Sequence, residues 1–148
     1  MSELIRYEVD DQGIATITWD MQNSPMNVLN EGSIRAYADL VEKAIADDNV
    51  KGVVVTSARN EFIAGADLRE LLRSSEQSAE ELFGWIQNLQ GLFRKQETGK
   101  KPFVAAINGT ALGGGLELTL ACHYRVAADN PRTKLGLPEV KLGLLPGG

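Results

Sequence analysis

An α/β fold is predicted by three observations. The chain opens with a hairpin signal, carries two short apolar runs typical of strands buried on both faces, and shows helical periodicity after each of them. Ile5 to Val9 and Ile14 to Trp19 alternate apolar and polar residues around the turn signal Asp10-Asp11-Gln12-Gly13, which predicts a β-hairpin. Residues 22–27 form a loop around Pro25. Asn30 is a candidate N-cap, and Ile34, Tyr37, Ala38, Val41 and Ile45 then recur at helical spacing. Val50 to Thr56 is a buried strand. A loop leads to Phe62–Leu68 and a polar segment, and a second helix is predicted from Ala79 to Lys95. Pro102 opens another strand, Phe103 to Ile107. After Asn108–Gly115 comes a helix from Leu116 to Cys122 that looks apolar nearly all round, and a strand at Arg125 to Ala128. The order β-β-α-β-α-β-α-β repeats a strand–loop–helix unit.

The chain has 148 residues, enough for one domain to bury a core without disulfides or metals. A hydrophobic share of 43% with 24% charged residues belongs to an ordinary soluble globular protein. The net charge of −5 argues against nucleic acid, which demands clustered Lys and Arg. Lys51, Arg59, Arg69 and Lys101 remain as local cations able to meet a phosphate-bearing ligand. Met1 to Arg6 lacks the basic and apolar regions of a signal peptide, and no apolar run approaches the roughly 20 residues of a membrane span. A cytoplasmic location is therefore expected. One cysteine, Cys122, and one histidine, His123, exclude disulfides, CxxC metal sites and His-pair zinc motifs, so no metal is expected. Cys122 reads as a small buried apolar residue, His123 as a helix-end residue favouring the dipole, and Trp19 and Trp85 as core or interface residues.

Two strands each run into a small-residue loop and then a helix: Val53-Val54-Val55 into Ala64-Gly65-Ala66-Asp67, and Val104 to Ile107 into Gly113-Gly114-Gly115. Small residues let a ligand approach the backbone, and helix starts offer free N–H groups. Two such N–H groups converging on one point would form an oxyanion hole. Each loop alone is also explained by a tight turn, and Asp67 by helix capping. GGG is not the GxGxxG of dinucleotide sites. Glu117 lies just inside the apolar helix, where a carboxylate must be paired, hydrogen-bonded or functional. Glu139 follows Pro138, 22 positions later, so the two meet only if the chain folds back. Dipole compensation accounts for a lone Glu at a helix start; both loops with both glutamates point to acid/base chemistry beside an oxyanion hole.

Phe62-Ile63-Ala64-Gly65-Ala66-Asp67-Leu68, Asn108 to Leu118 and Gly136 to Gly148 resemble, in order, the three signatures of the crotonase (enoyl-CoA hydratase/isomerase) superfamily. Met26-Asn27 resembles its early substrate-side turn. Gly-Leu-Glu-Leu, Ala-Cys-His-Tyr-Arg-Val-Ala and Leu-Gly-Leu-Pro-Glu-Val are most similar to the N-terminal hydratase part of multifunctional fatty-acid-oxidation α-subunits. The resemblance implies a spiral of ββα units, with residues 1–148 a partial crotonase domain. Leu144 to Gly148 is turn-like, with no closing helix or strand, which predicts a domain truncated before its C-terminal helices and surfaces prone to self-association.

The resemblance also implies roles. Ala66 and Gly114 would supply the oxyanion N–H groups, and Glu117 and Glu139 the acid/base pair. Met26, Ala64, Gly65, Asp67 and Gly113 would line the substrate. The implied reaction is syn addition of water to a 2-trans-enoyl-CoA, giving 3-hydroxyacyl-CoA, with a side Δ3-Δ2 isomerase activity. Coenzyme A enters only as part of the substrate; NAD belongs to a dehydrogenase part outside this sequence, and a thiolase β-subunit is the implied partner. The alternatives are another crotonase-type reaction, such as decarboxylation or thioester hydrolysis, and a non-catalytic scaffold. Single replacement of Glu117 or Glu139 separates the first from hydration, and failure to bind acyl-CoA would favour the second.

Overall fold

The alternating N-terminal residues form a hairpin of β1 (Ile5–Val9) and β2 (Ile14–Trp19), antiparallel with Ile5 opposite Trp19. Its turn is closed by Asp10, whose Oδ1 accepts the N–H groups of Gln12 and Ile14, each at 2.9 Å. The computed structural model describes residues 4–74 and 76–148; residues 1–3 of the N-terminal reading and Ser75 of the polar segment lie outside the described residues.

After α1 (Glu31–Ala46) the chain returns as β3 (Gly52–Ser57), and after α3 (Ala79–Thr98) as β4 (Phe103–Ile107). The two-residue β5 (Ala111–Leu112) and helix α4 (Gly114–Leu120) lead to β6 (Tyr124–Ala127). The main sheet runs β1-β2-β3-β4-β6, parallel from β2 onward. A second, small sheet pairs β5 with β7 (Leu135–Gly136), also in parallel. Two further elements complete the order: the short α2 (Leu68–Ser74) and a 3-10 turn at Glu139–Leu142.

Asn30 caps α1 as expected: its side chain accepts from Ser33 N–H, and the Ser33 hydroxyl accepts from Asn30 N–H. The helix buries Tyr37, Val41 and Ala44 against β2, where the Trp19 and Tyr37 rings sit 5.4 Å apart. Burying each large core side chain such as Trp19, Tyr37, Phe62 or Phe103 contributes on the order of 1.5–3 kcal/mol. A buried polar bridge ties the helices together. The Tyr37 hydroxyl donates to Gln96 Oε1 at 2.5 Å, and Gln96 Nε2 donates to Leu118 O at 3.2 Å.

The α/β class and the element order hold, with local corrections. The polar segment contains α2, and α3 extends to Thr98. Helix α4 starts at Gly114 and is not buried all round, since Leu120 is 53% exposed. His123 follows α4 and is tied to β4: its Nδ1 accepts the Phe103 N–H at 3.0 Å, and its backbone N–H donates to Phe103 O at 2.9 Å. Cys122 is buried as expected, and Trp19 is core. Among the described residues, no helix is long and apolar enough to cross a membrane.

Candidate active site

Three segments remote in sequence lie side by side at one end of the sheet: residues 27–29, 62–67 and 110–113. Phe62 N–H donates to Thr110 O (3.0 Å) and Leu112 N–H to Ile63 O (3.1 Å). On the other side Ala64 N–H donates to Asn27 O (2.9 Å), Leu29 N–H to Gly65 O (2.8 Å) and Asp67 N–H to Leu29 O (2.8 Å). The donors at 64 and 67 are three positions apart, where a regular strand would offer every second N–H. Gly65, at φ +108°, absorbs the extra residue in the manner of a bulge and leaves the Ala66 N–H out of the ladder. Gly113, at φ +53°, turns the other segment into α4, whose first N–H, on Gly114, has no acceptor within the helix. Among the described residues, neither N–H meets a backbone carbonyl.

Two carboxylates stand over this junction. A side chain begun at Gly113 would meet Glu139 Oε1 at 3.0 Å and Gly65 Cα at 3.9 Å, and one begun at Gly114 would meet Glu117 Oε2 at 3.6 Å. The bare backbone at Gly113 therefore leaves room for Glu139, while a Cβ at Gly114 would first strike Leu29 Cδ1 at 2.5 Å, with Glu117 Oε2 at ordinary contact distance. Glu117 reaches its place from the first turn of α4, Glu139 from the 3-10 turn after β7. Glu117 Oε1 accepts the Gly148 N–H at 2.8 Å. Burial pushes the Glu117 carboxyl above the usual carboxylate range; the Gly148 hydrogen bond opposes this, and the Glu139 charge adds to it. Glu139 Oε2 is buried with no hydrogen-bond partner among the described residues.

The acids open onto a cleft of about 720 Å³, within the size range of small-molecule sites. All nine residues singled out from the sequence line it: Met26, Ala64, Gly65, Ala66, Asp67, Gly113, Gly114, Glu117 and Glu139. Asp67 also caps α2, as its alternative reading required: its Oδ1 accepts the Arg69 N–H at 2.9 Å. Of the four cations, only Arg69 lines the cleft. Lys101 Nζ donates to the carbonyls of Ala44 and Asp47 at the end of α1, and Arg59 Nη2 to those of Ser24 (2.8 Å) and Pro25 (3.1 Å). Among the described residues, no cluster of His, Cys, Asp or Glu is arranged to hold a metal ion.

Sequence reasoning missed the cleft wall. Leu82, Trp85, Ile86 and Leu89 of α3 face the cavity at positions i, i+3, i+4 and i+7. That spacing was legible, but it reads equally as a core face. Trp85 is thus a wall residue, 37% exposed. The Gly148 N–H on Glu117 was also missed.

Comparison with known proteins places this arrangement. Residues 10–148 match the model of the enoyl-CoA hydratase/isomerase family. A fatty acid oxidation complex subunit alpha from Idiomarina loihiensis is 46% identical over 141 residues, covering 95% of this chain and 20% of the relative. The chain therefore spans about a fifth of the length of such a relative. Among solved structures, an enoyl-CoA hydratase from Bacillus anthracis is 30% identical with TM-score 0.84, over 97% of this chain and 54% of its own. One from Thermoplasma volcanium is 25% identical with TM-score 0.86, over 99% and 56%. These likenesses extend to the spiral architecture as well as the motifs, and the chain belongs to the enoyl-CoA hydratase/isomerase family.

Proposed function

We propose that this domain adds water to 2-trans-enoyl-CoA thioesters, giving 3-hydroxyacyl-CoA. The observation that carries the reading is the placement of Glu117 and Glu139 over Gly113-Gly114, beside the unpaired N–H groups of Ala66 and Gly114. The thioester oxygen sits between those two donors, which stabilise the enolate that forms there. Glu117, made more basic by burial, takes a proton from water through Oε2, while Oε1 stays held by Gly148. The water oxygen bonds to C3, and the C2–C3 π electrons move onto the thioester as the enolate. Glu139, which enters this step protonated, gives its proton to C2 as the enolate collapses; passage of the water-derived proton from Glu117 to Glu139 restores both acids. The apolar wall from α3 receives the acyl chain. Shifting a double bond from position 3 to position 2 uses the same enolate and supports a side isomerase activity.

The reaction is redox-neutral, and coenzyme A enters only as part of the substrate. We place residues 1–148 as part of one hydratase domain in a longer cytoplasmic protein. The relative's name, fatty acid oxidation complex subunit alpha, supports assembly with a further subunit, for which a thiolase β-subunit is our proposal. NAD would serve a dehydrogenase part elsewhere in such a chain.

Hydration of crotonyl-CoA, followed by loss of the conjugated thioester absorbance, tests the reading. Activity in the parent and its loss in both Glu117→Gln and Glu139→Gln is the expected result. Full hydration after either single replacement would overturn the two-carboxylate mechanism. A parent that binds acyl-CoA without hydrating it would favour thioester hydrolysis or decarboxylation.

A further inference from the structure

We infer that Asn27 is a positioning residue for the oxyanion hole: it fixes the direction in which the Ala66 N–H points. The inference rests on the hydratase reading above and deepens it. Asn27 is fully buried, although its side chain is an amide. Every site on that amide that can donate is used, and its oxygen is used as well. Oδ1 accepts the Met21 N–H at 3.0 Å. Nδ2 donates to Phe62 O at 3.0 Å and Ser57 Oγ at 2.9 Å, with a longer contact to Trp19 O at 3.3 Å. The backbone carbonyl of Asn27 takes the Ala64 N–H at 2.9 Å.

This one residue therefore grips the loop twice, at Phe62 O and Ala64 N–H, just ahead of the Gly65 bulge. Ser57 extends the grip, since its hydroxyl donates to Glu61 O at 2.7 Å. The bulge is the joint that turns the Ala66 N–H outward, and glycine there resists no rotation of its own. What sets the angle is the fixed track on either side. Leu29 holds the far side through Gly65 O and Asp67 N–H, and Asn27 holds the near side. Asn27 lies outside the cleft and touches no reacting atom; its effect passes through the backbone.

Removing the side-chain half of the grip, while the Asn27 carbonyl still accepts the Ala64 N–H, tilts or loosens one oxyanion donor without deleting it. Misplacement by about an ångström, or loss of one such donor, lowers kcat on the order of 10²-fold. Asn27→Ala and Asn27→Asp are made in the complete protein, with Ser57→Ala as a milder companion. Two quantities are read per folded molecule: kcat and KM for crotonyl-CoA, and the C=O stretch of a bound, unreactive saturated acyl-CoA carrying ¹³C at the thioester carbon. Hydrogen bonds from the hole lower that stretch.

The expected result in the Asn27 variants is a kcat fall of about 10²-fold with little change in KM, together with loss of much of the downshift. A residue that merely stabilises the fold would lower the melting temperature and leave the carbonyl frequency of the folded fraction alone. If the Asn27 variants do not fold, Ser57→Ala decides: a weakened downshift supports the inference and an undiminished one overturns it. A parent that binds acyl-CoA with no downshift sinks the oxyanion-hole reading itself. A downshift present in the parent and intact in the folded variants sinks only the role of Asn27.

Discussion

Gly115→Ala tests the joint between the two halves of the site. A Cβ on Gly115 would lie 2.4 Å from Ile63 O, 2.9 Å from Ile63 Cβ and 3.0 Å from Ile63 C. The first contact is with backbone that accepts the Leu112 N–H, so no side-chain rotation relieves it. Opening 2.4 Å to the 3.0 Å that real Cβ atoms tolerate demands about 0.6 Å of separation between α4 and the 62–67 segment. Those two bodies carry the Gly114 and Ala66 N–H groups. The same displacement thus widens the oxyanion hole by a substantial part of the ångström that costs about 10²-fold in rate. Overpacking should cost about 1–3 kcal/mol of stability, offset in part by the gain of about 0.8–1 kcal/mol from Gly to Ala in a helix. The assay is crotonyl-CoA hydration per folded molecule, with thermal unfolding alongside. A kcat equal to that of the parent in a folded variant would refute the claim that Gly115 sets the spacing of the two donors.

Gly91 provides the contrasting case: a Cβ there meets nothing within 4 Å, in the exposed interior of α3. Gly91→Ala should raise stability by about 0.5–1 kcal/mol with unchanged kcat, read by thermal and urea unfolding. The raised Glu117 pKa makes the native state hold more protons than the unfolded chain, from the ordinary value of 4.5 upward to the folded value. Stability is therefore lost as pH rises through that window, and Glu117→Gln should unfold at a higher temperature than the parent above it, with the difference vanishing at lower pH. The acidic limb of kcat/KM should correspondingly begin above the pH expected of a free carboxylate, and a limb at the ordinary glutamate pKa would contradict the burial argument. Burial pushes the Cys122 thiol up to about 12, so thiol reagents at pH 8 should label it only on unfolding, as intact-mass spectrometry would record.

The hairpin was legible because Ile5–Val9 and Ile14–Trp19 alternate and Asp10 supplies its own turn acceptor. Asn30 announced α1, and the Val53–Val55 and Val104–Ile107 runs announced strands sunk within the sheet. The acids and the glycine loops were legible as motifs, but their meeting was not, since the 21 residues between Glu117 and Glu139 carry no pattern that states a distance. Helix α2 escaped because it is short: Leu68, Leu71 and Leu72 fall at i, i+3 and i+4, but one such set in a seven-residue, otherwise charged and polar stretch does not stand out from a loop. The two-residue strands β5 and β7 have no local signature at all; only their partners define them. Asn27 reads as one polar residue in a loop, and its importance lies wholly in the neighbours that tertiary structure brings to it.

The side-by-side packing of 27–29, 62–67 and 110–113 has a kinetic meaning. Each hydrogen bond between these segments closes a loop of roughly 35 to 50 residues, and none can form from neighbours along the chain. The helices can gather their own bonds early; the carbonyl-binding point exists only after the long crossovers have closed. During refolding, ellipticity should return before the capacity to polarise a thioester, because the geometry of the site is a property of the closed topology and of no single stretch within it.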